Sequence, residues 1–205
     1  MSIRKRANAA FKRAFDIGAV VAALPVAAPI LAVAAVAIRA ESTGSPIFVQ
    51  ERMGKDGKTF RVLKLRTMVD NAENIGAGLY AVKDDPRFTK VGLLLRRTSL
   101  DELPQIFNIL KGEMSVVGPR PQLEMVTSQY QEQFDTILSV RPGLTGLSQI
   151  SGRNDLTRSQ RMAFDMDYAE NWSLVGDVSI LARTAAVVIN GEGQRNDQSA
   201  EDVEK

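Results

Sequence analysis

The hydrophobic pattern opens with a single unbroken run. From Ile17 to Ile38 there are 22 consecutive residues without a charged side chain, mostly Ala, Val, Ile and Leu, preceded by Arg4, Lys5, Arg6, Lys12 and Arg13. As a helix this run covers about 33 Å, close to the thickness of a bilayer's hydrocarbon core. A cleaved signal peptide competes with that reading, but the run is longer than a signal core and leads straight into Arg39 and Glu41. Pro25 and Pro29 lie within the run. Each removes a backbone donor and clashes with the preceding turn, so a kink is expected there. Two topologies fit, a kinked helix that spans the membrane or a re-entrant one that enters and leaves on one face. A spanning helix would send everything after Arg39 to the far side, whereas Arg39, Arg52, Lys55 and Lys58 make the second flank basic as well, which favours re-entry.

Beyond the run the hydrophobic period shortens to two. Residues 45–68 read as a β-hairpin with strands at 46–50 and 60–67 around the turn signal Asp56-Gly57. Phe60, Val62, Lys64 and Arg66 share one strand face, which places two cations side by side near its end. Residues 70–86 carry Asn, Gly and Asp-Asp-Pro punctuation and read as a mobile loop, and 91–97 as a short helix. In Ser99–Gly112, Leu103, Ile106, Phe107 and Leu110 recur at helical spacing and predict one buried face, with Ser99 and Glu102 in a capping box or Asp101 as the cap. An acidic pair at a helix start is common and stabilises modestly without any chemistry.

Next, Met114–Pro121 reads as a short strand entering a turn that holds Arg120 between Pro119 and Pro121, where fixed φ angles lower the entropy of presenting a guanidinium to phosphate or carboxylate. Leu123, Val126, Tyr130, Phe134 and Ile137 give a helical face over 122–138, turned to core or membrane surface. Residues 141–154 are Gly-rich and basic, suited to surrounding phosphate, without Walker or dinucleotide spacing. Asp177 opens a last helix with Val178, Leu181, Ala185 and Val188 on one stripe. The polar stretch from Gly191, with 5 acidic and 2 basic residues, reads as a disordered tail.

Composition narrows the chemistry. With no His and no Cys among 205 residues, there is no imidazole proton shuttle, no thiolate nucleophile and no disulfide or Cys-ligated metal. A nucleophile must then be Asp, Glu, Ser, Thr, Lys or Tyr, and a metal should be a hard, oxygen-bound cation. The net charge of +2 hides an asymmetry: residues 1–66 hold 12 Lys and Arg against 4 Asp and Glu, and residues 67–205 hold 14 against 20. The first third is built to meet negative charge, whether lipid headgroups, nucleotides or nucleic acid. Few aromatics interleave with the basic residues, which argues against nucleic acid.

Taken together, these segments resemble the bacterial sugar transferase family, the small monotopic phosphoglycosyl transferases that begin glycan assembly on polyprenyl phosphate. The resemblance runs from Phe11-Lys-Arg-Ala-Phe-Asp16 to the helix after Asp177. It is carried by Lys64-Leu-Arg-Thr-Met68, Arg96 through Leu-Asp-Glu-Leu-Pro-Gln105, Phe-Asn-Ile-Leu-Lys-Gly112, Val-Gly-Pro-Arg-Pro121, Arg-Pro-Gly-Leu-Thr-Gly146 and Ser-Gly-Arg-Asn154. It implies an α+β fold in which a basic anchor and re-entrant membrane helix (1–40) precedes a compact catalytic domain (41–190) with a small β-hairpin and amphipathic helices, then the tail (191–205). It also implies a bacterial inner-membrane protein working at the cytoplasmic face, with a UDP-sugar, undecaprenyl phosphate and membrane lipids as partners, and it is compatible with a homodimer.

In that scheme Asp101 attacks the β-phosphate, UMP leaves, and the phosphosugar passes from the carboxylate to the polyprenyl phosphate. The helix end would lower the Asp101 pKa. Glu102 assists, Lys64, Arg66, Arg96, Arg120 and Arg153 contact phosphate or nucleotide, and magnesium sits at Asp101. Lys12, Arg13 and Asp16 would anchor the membrane hairpin at the headgroups. Ala28-Pro29 stands at the bend, where the family often has Ser-Pro, and Pro25 supplies extra bend. The rival from another class is a membrane-tethered protein that binds nucleotide or anionic lipid without turnover.

Overall fold

A computed structural model describes residues 3–76, 78, 82, 84–152 and 155–190, with side chains over 9–187. Arg153 and the 191–205 stretch lie outside the described residues. Among the described residues the fold is α+β, with a long apolar helix leading into further helices of 4 to 17 residues and two two-stranded sheets.

Helix α1 (Ile3–Glu41) runs unbroken through Pro25 and Pro29. Asp16, Val20, Ala27, Ala34 and Ile38 are buried, and Leu24 and Leu31 pack with them, a spacing of three and four that keeps one stripe against the domain. Val21, Val26, Val33 and Val36 are exposed, as are Pro25, Ala28 and Pro29. A proline opens a helix on its own side, so both prolines stand where opening bends the ends of α1 toward the domain.

Strands β1 (Ile47–Met53) and β2 (Thr59–Leu65) form the expected antiparallel hairpin, with Arg52 opposite Phe60 and Phe48 opposite Lys64. The turn carries Asp56 and Gly57 at positive φ, as the Asp-Gly signal requires. Phe60, Val62 and Leu65 are buried, each contributing about 1.5–3 kcal/mol by apolar burial. The 70–86 stretch, expected to be mobile, is organised in its described part by Arg87, which is buried. Arg87 donates to Asp85 at 2.6 Å and to the carbonyls of Ala72, Ile75 and Gly78. Thr67, just before this stretch, packs on helix α2 (Lys90–Arg97), where Gly92 lies so close that a Cβ would sit 1.9 Å from the Thr67 carbonyl oxygen.

The Asp-Glu-Leu-Pro segment differs from expectation. Leu100–Glu102 is a tight 3-10 turn entered through Ser99 at φ 55°, and α3 (Gln105–Lys111) starts afterwards, capped at Pro104 without any side-chain bond. No capping box forms, because the proline stops a longer helix from reaching back to Ser99. The buried residues of α3 are Gln105, Ile106, Asn108 and Ile109, while Phe107 is exposed. Asn108 pins α3 to the edge of β2. Its Oδ1 accepts from Leu63 N at 3.1 Å, and its Nδ2 donates to Arg61 O and to Glu113 Oε2, both at 2.7 Å.

Strand β3 (Ser115–Val117) pairs in parallel with β4 (Gly143–Thr145). Between them the predicted single helix is two, α4 (Glu124–Gln129) and α5 (Gln131–Ile137), broken at Tyr130. Phe134 and Ile137 face the core, against Met162, not a membrane surface. The short α6 (Leu147–Ile150) and α7 (Arg158–Asn171) follow, and then α8 (Leu174–Asn190). In α8 the buried stripe is Asp177, Ile180 and Val187, with Val178 exposed, a phase shifted from the expected one. Asp177 is buried because Lys12 donates to it at 2.6 Å and Tyr168 Oη at 2.8 Å.

Candidate active site

Two loops rich in Gly and Pro are laid against each other to present Arg120. Gly118 N donates to Thr145 O and Gly143 N to Pro119 O, both at 2.8 Å. The backbones are close enough that a Cβ on Gly143 would lie 2.0 Å from Gly118 N. On the other side, Met53 N donates to Gln122 O at 2.9 Å and Arg52 Nη1 reaches Pro121 O at 3.5 Å. The turn is thus held from β4 and from β1.

Arg120 Nη2 donates to Glu102 Oε1 at 2.8 Å, and Lys64 Nζ, from the inner face of β2, donates to the same oxygen at 3.1 Å. Arg96 closes the group from the end of α2, its guanidinium 4.8 Å from the centre of the Phe88 ring. The neighbouring carboxylates are treated differently. Burial pushes Glu102 up, but Arg120 and Lys64, by charge and by hydrogen bond, outweigh it and hold Glu102 well below the usual carboxylate range. Asp101 is raised, first by burial and then by the charge of Glu102, against the pull of Lys64, Arg96 and Arg120. This reverses the expectation of a lowered Asp101. It sits on a turn ahead of a seven-residue helix, and burial beside a like charge exceeds any help from the helix end.

Arg52 joins the site although its sequence position marked it only as a basic flank. Burial and then the charge of Arg120 lower its pKa to about 10, against the opposing pull of Glu102. The hairpin register carried the signal, since it puts Arg52 on the same sheet face as Lys64. Asp165 of α7 also lies near Arg120, and its helical phase with Met162, Tyr168 and Ala169 was the signal that sequence reasoning missed. Its burial follows from packing.

Other predicted residues are engaged elsewhere. Arg66 is buried and donates to Ser42 O at 3.1 Å, Ser42 Oγ at 3.0 Å, Asp70 and Thr43 O, tying β2 to the end of α1. Lys12 bonds Asp177 and Val117 O, Arg13 donates to Ile109 O at 2.5 Å and Leu110 O at 2.8 Å, and Asp16 accepts from Ser115 Oγ at 2.8 Å and Val116 N at 3.0 Å. All three dock α1 on the domain.

Chemically, the site offers, among the described residues, two carboxylates and four cations, Arg52, Lys64, Arg96 and Arg120. That excess of positive charge suits an anion with several phosphate oxygens. Among the described residues no cluster of three carboxylates could hold a metal by itself. Magnesium binds through one or two carboxylates plus phosphates and water, a donor set that Asp101 with a bound phosphate would complete.

The sequence profile of the bacterial sugar transferase family matches residues 7–191. An uncharacterized sugar transferase of Haemophilus influenzae is 41% identical over 94% of this chain and 44% of its own length. The undecaprenyl-phosphate galactose phosphotransferase of Salmonella typhimurium is 39% identical over 94% of this chain and 43% of its own. The exopolysaccharide production protein ExoY of Sinorhizobium fredii is 40% identical over 89% of this chain and 87% of its own. This chain therefore spans less than half the length of the first two relatives. Since the profile extends across α1, the carboxylate pair and the cations around it, the chain belongs to the bacterial sugar transferase family.

Proposed function

We propose that this protein transfers a phosphosugar from a UDP-sugar to undecaprenyl phosphate, releasing UMP, at the cytoplasmic face of a bacterial inner membrane. The observation that carries the proposal is the Asp101-Glu102 pair inside a ring of Lys64, Arg96 and Arg120. Relatives named for undecaprenyl-phosphate phosphotransfer of galactose, N-acetylgalactosamine or glucose support the substrate class.

In the first step an Asp101 oxygen forms a bond to the β-phosphorus, the bond from that phosphorus to the bridging oxygen breaks, and UMP departs with the electron pair. In the second, a phosphate oxygen of undecaprenyl phosphate forms a bond to the same phosphorus and the Asp101 carboxylate leaves. A carboxylate nucleophile splits one difficult transfer into two and is itself a good leaving group. Glu102, ionised, keeps Lys64 and Arg120 aimed at the phosphates, whose growing charge the cations then stabilise. Magnesium, held by Asp101 with phosphate oxygens, would supply further neutralisation of the diphosphate.

Membrane entry is part of the same proposal. Arg13 caps the carbonyls that end α3, and Glu41 accepts from Lys90 N at 2.7 Å and Val91 N at 2.8 Å at the start of α2. Both ends of α1 are thus fastened to one domain, which supports a re-entrant helix dipping into one leaflet with its Val-rich face in lipid.

The test is to incubate the protein with magnesium and a panel of UDP-sugars. The Asp101 peptide should gain one phosphosugar mass, undecaprenyl phosphate should discharge it with UMP in solution, and Asp101→Asn should abolish both. Turnover surviving that substitution sinks the nucleophile assignment. UDP-sugar binding without UMP release points instead to the tethered binding protein.

A further inference from the structure

Near Arg120 lies a polar cluster that the proposed chemistry does not use. Asp165 is 4% exposed, and its Oδ1 lies 2.7 Å from Ser148 Oγ, itself buried in α6. That hydroxyl also lies 3.2 Å from Gln149 Oε1, while Gln149 Nε2 is buried without a partner. A hydroxyl has one hydrogen and cannot donate to both oxygens. Two arrangements complete the chain. With Asp165 protonated, it donates to Ser148, which donates to Gln149. With Asp165 ionised, Ser148 donates to Asp165 and the rotated Gln149 amide donates to Ser148.

The cluster is coupled to the site by backbone. A Cβ on Gly146, the residue before α6, would lie 2.7 Å from Gln149 Oε1 and 2.1 Å from Gly118 O, so α6 rests on the turn that presents Arg120. Resting on the phosphosugar-transfer reading above, we propose that Asp165 is a positioning residue for Arg120 and its proton-controlled counter-ion. With the carboxyl neutral, the charge of Arg120 is left to Glu102 and a bound diphosphate. With it ionised, part of that charge is drawn away and the Ser148–Gln149 chain reverses direction.

The charged groups around Asp165 agree with this arrangement. Burial raises it to about 7, against Ser148, Arg161 on its own helix and Arg120. Helix α5, which also packs on α7, turns Phe134 and Ile137 inward and keeps Glu132 and Asp135 exposed. Asp165 in turn raises the pKa of Arg120, after the larger effect of Glu102.

UDP-galactose is a suitable probe, because its diphosphate is esterified at both ends and keeps its charge through neutral pH. Its affinity is measured in Asp101→Asn protein, which cannot turn over and no longer titrates at Asp101. The dissociation constant should rise about three- to tenfold between about pH 6 and about pH 8.5, since a nearby charge is worth on the order of 1 kcal/mol. The rise should vanish when Asp165→Asn is added. An equal rise in both proteins, or none in either, overturns the proposal.

If UDP-galactose binds neither protein, the phosphosugar reading is in difficulty and melting decides about Asp165 alone. Its folded pKa lies above the unfolded value of about 3.9, so the folded state holds the extra proton between them and loses that stabilisation as pH rises toward about 7. The melting temperature of the full chain in detergent should then fall relative to Asp165→Asn across that window. Arg120→Met should move the window's upper edge to higher pH. An unmoved edge, or no difference from Asp165→Asn, overturns the proposal.

Discussion

Asp101 and Glu102 are adjacent in sequence and opposite in electrostatics, and the difference lies in who receives the hydrogen bonds. Both Lys64 and Arg120 donate to Glu102 Oε1, which makes Glu102 the permanent anion of the site. Asp101 has the burial without those bonds, and its neighbour's charge besides. A carboxyl raised in this way is ionised only above its raised pKa, so if Asp101 is the nucleophile proposed above, kcat/KM should climb with pH on its acid side. Glu102→Gln removes the like charge and frees two cations to act on Asp101. The midpoint of that climb should move to lower pH even as the maximal rate falls on the order of 10²-fold, because Lys64 and Arg120 lose their aim. A pH–rate series on both proteins checks it. A midpoint that moves upward would mean that Glu102 does not act on Asp101 through its charge.

At the scale of elements, α3 carries the site because of one side chain. Asn108 has no exposed surface and completes three bonds to β2 and Glu113, so the helix following the carboxylate pair cannot slide on the hairpin that brings Lys64. Asn108→Leu should destabilise the fold by roughly 3 kcal/mol, since it strands the Leu63 N–H and the Arg61 carbonyl. Thermal unfolding, together with a larger loss of rate than of UDP-sugar affinity, would check this. Such couplings set the limit of what was legible in the sequence. The hairpin could be read because Asp56-Gly57 demands positive φ, and the turn around Arg120 because two prolines fix it. The expected face of α3 holds at Leu103, Ile106 and Leu110 and fails at Phe107: in seven residues the hydrophobic spacing admits either Phe107 or Ile109 as the buried one, and only the contact with β2 chooses. Arg66 and Lys64 share a strand face in sequence, yet Ser42 and Thr43 claim the first and Glu102 the second. Asp165 falls in phase with Met162, Tyr168 and Ala169 on α7, so the spacing marks a buried aspartate, but its partners Ser148 and Arg120 stand on other segments and no local pattern names them.

For the whole molecule, the decisive element is α1, and its relation to the domain bears on the membrane topology proposed above. Its buried stripe from Asp16 to Ile38 faces the domain, its opposite face is valine, alanine and proline, and Arg13 and Glu41 fasten its two ends to α3 and α2. Straight through a bilayer, the helix would carry one of these ends to the far side, and Arg13 or Glu41 would lose its partners on helix termini, each interaction worth about 0.3–1 kcal/mol and the exposed domain carbonyls or amides with it. Opened at the prolines, it keeps both. The chain has no cysteine, so single Ala10→Cys, Val26→Cys and Lys58→Cys substitutions report topology without background. An impermeant thiol reagent should modify Ala10→Cys and Lys58→Cys only from the cytoplasmic side, in inside-out vesicles, and should spare Val26→Cys, whose native side chain is 66% exposed in the protein and would be covered by lipid. Modification of Ala10→Cys and Lys58→Cys from opposite sides would establish a spanning helix and require the clamps at Arg13 and Glu41 to open in the membrane.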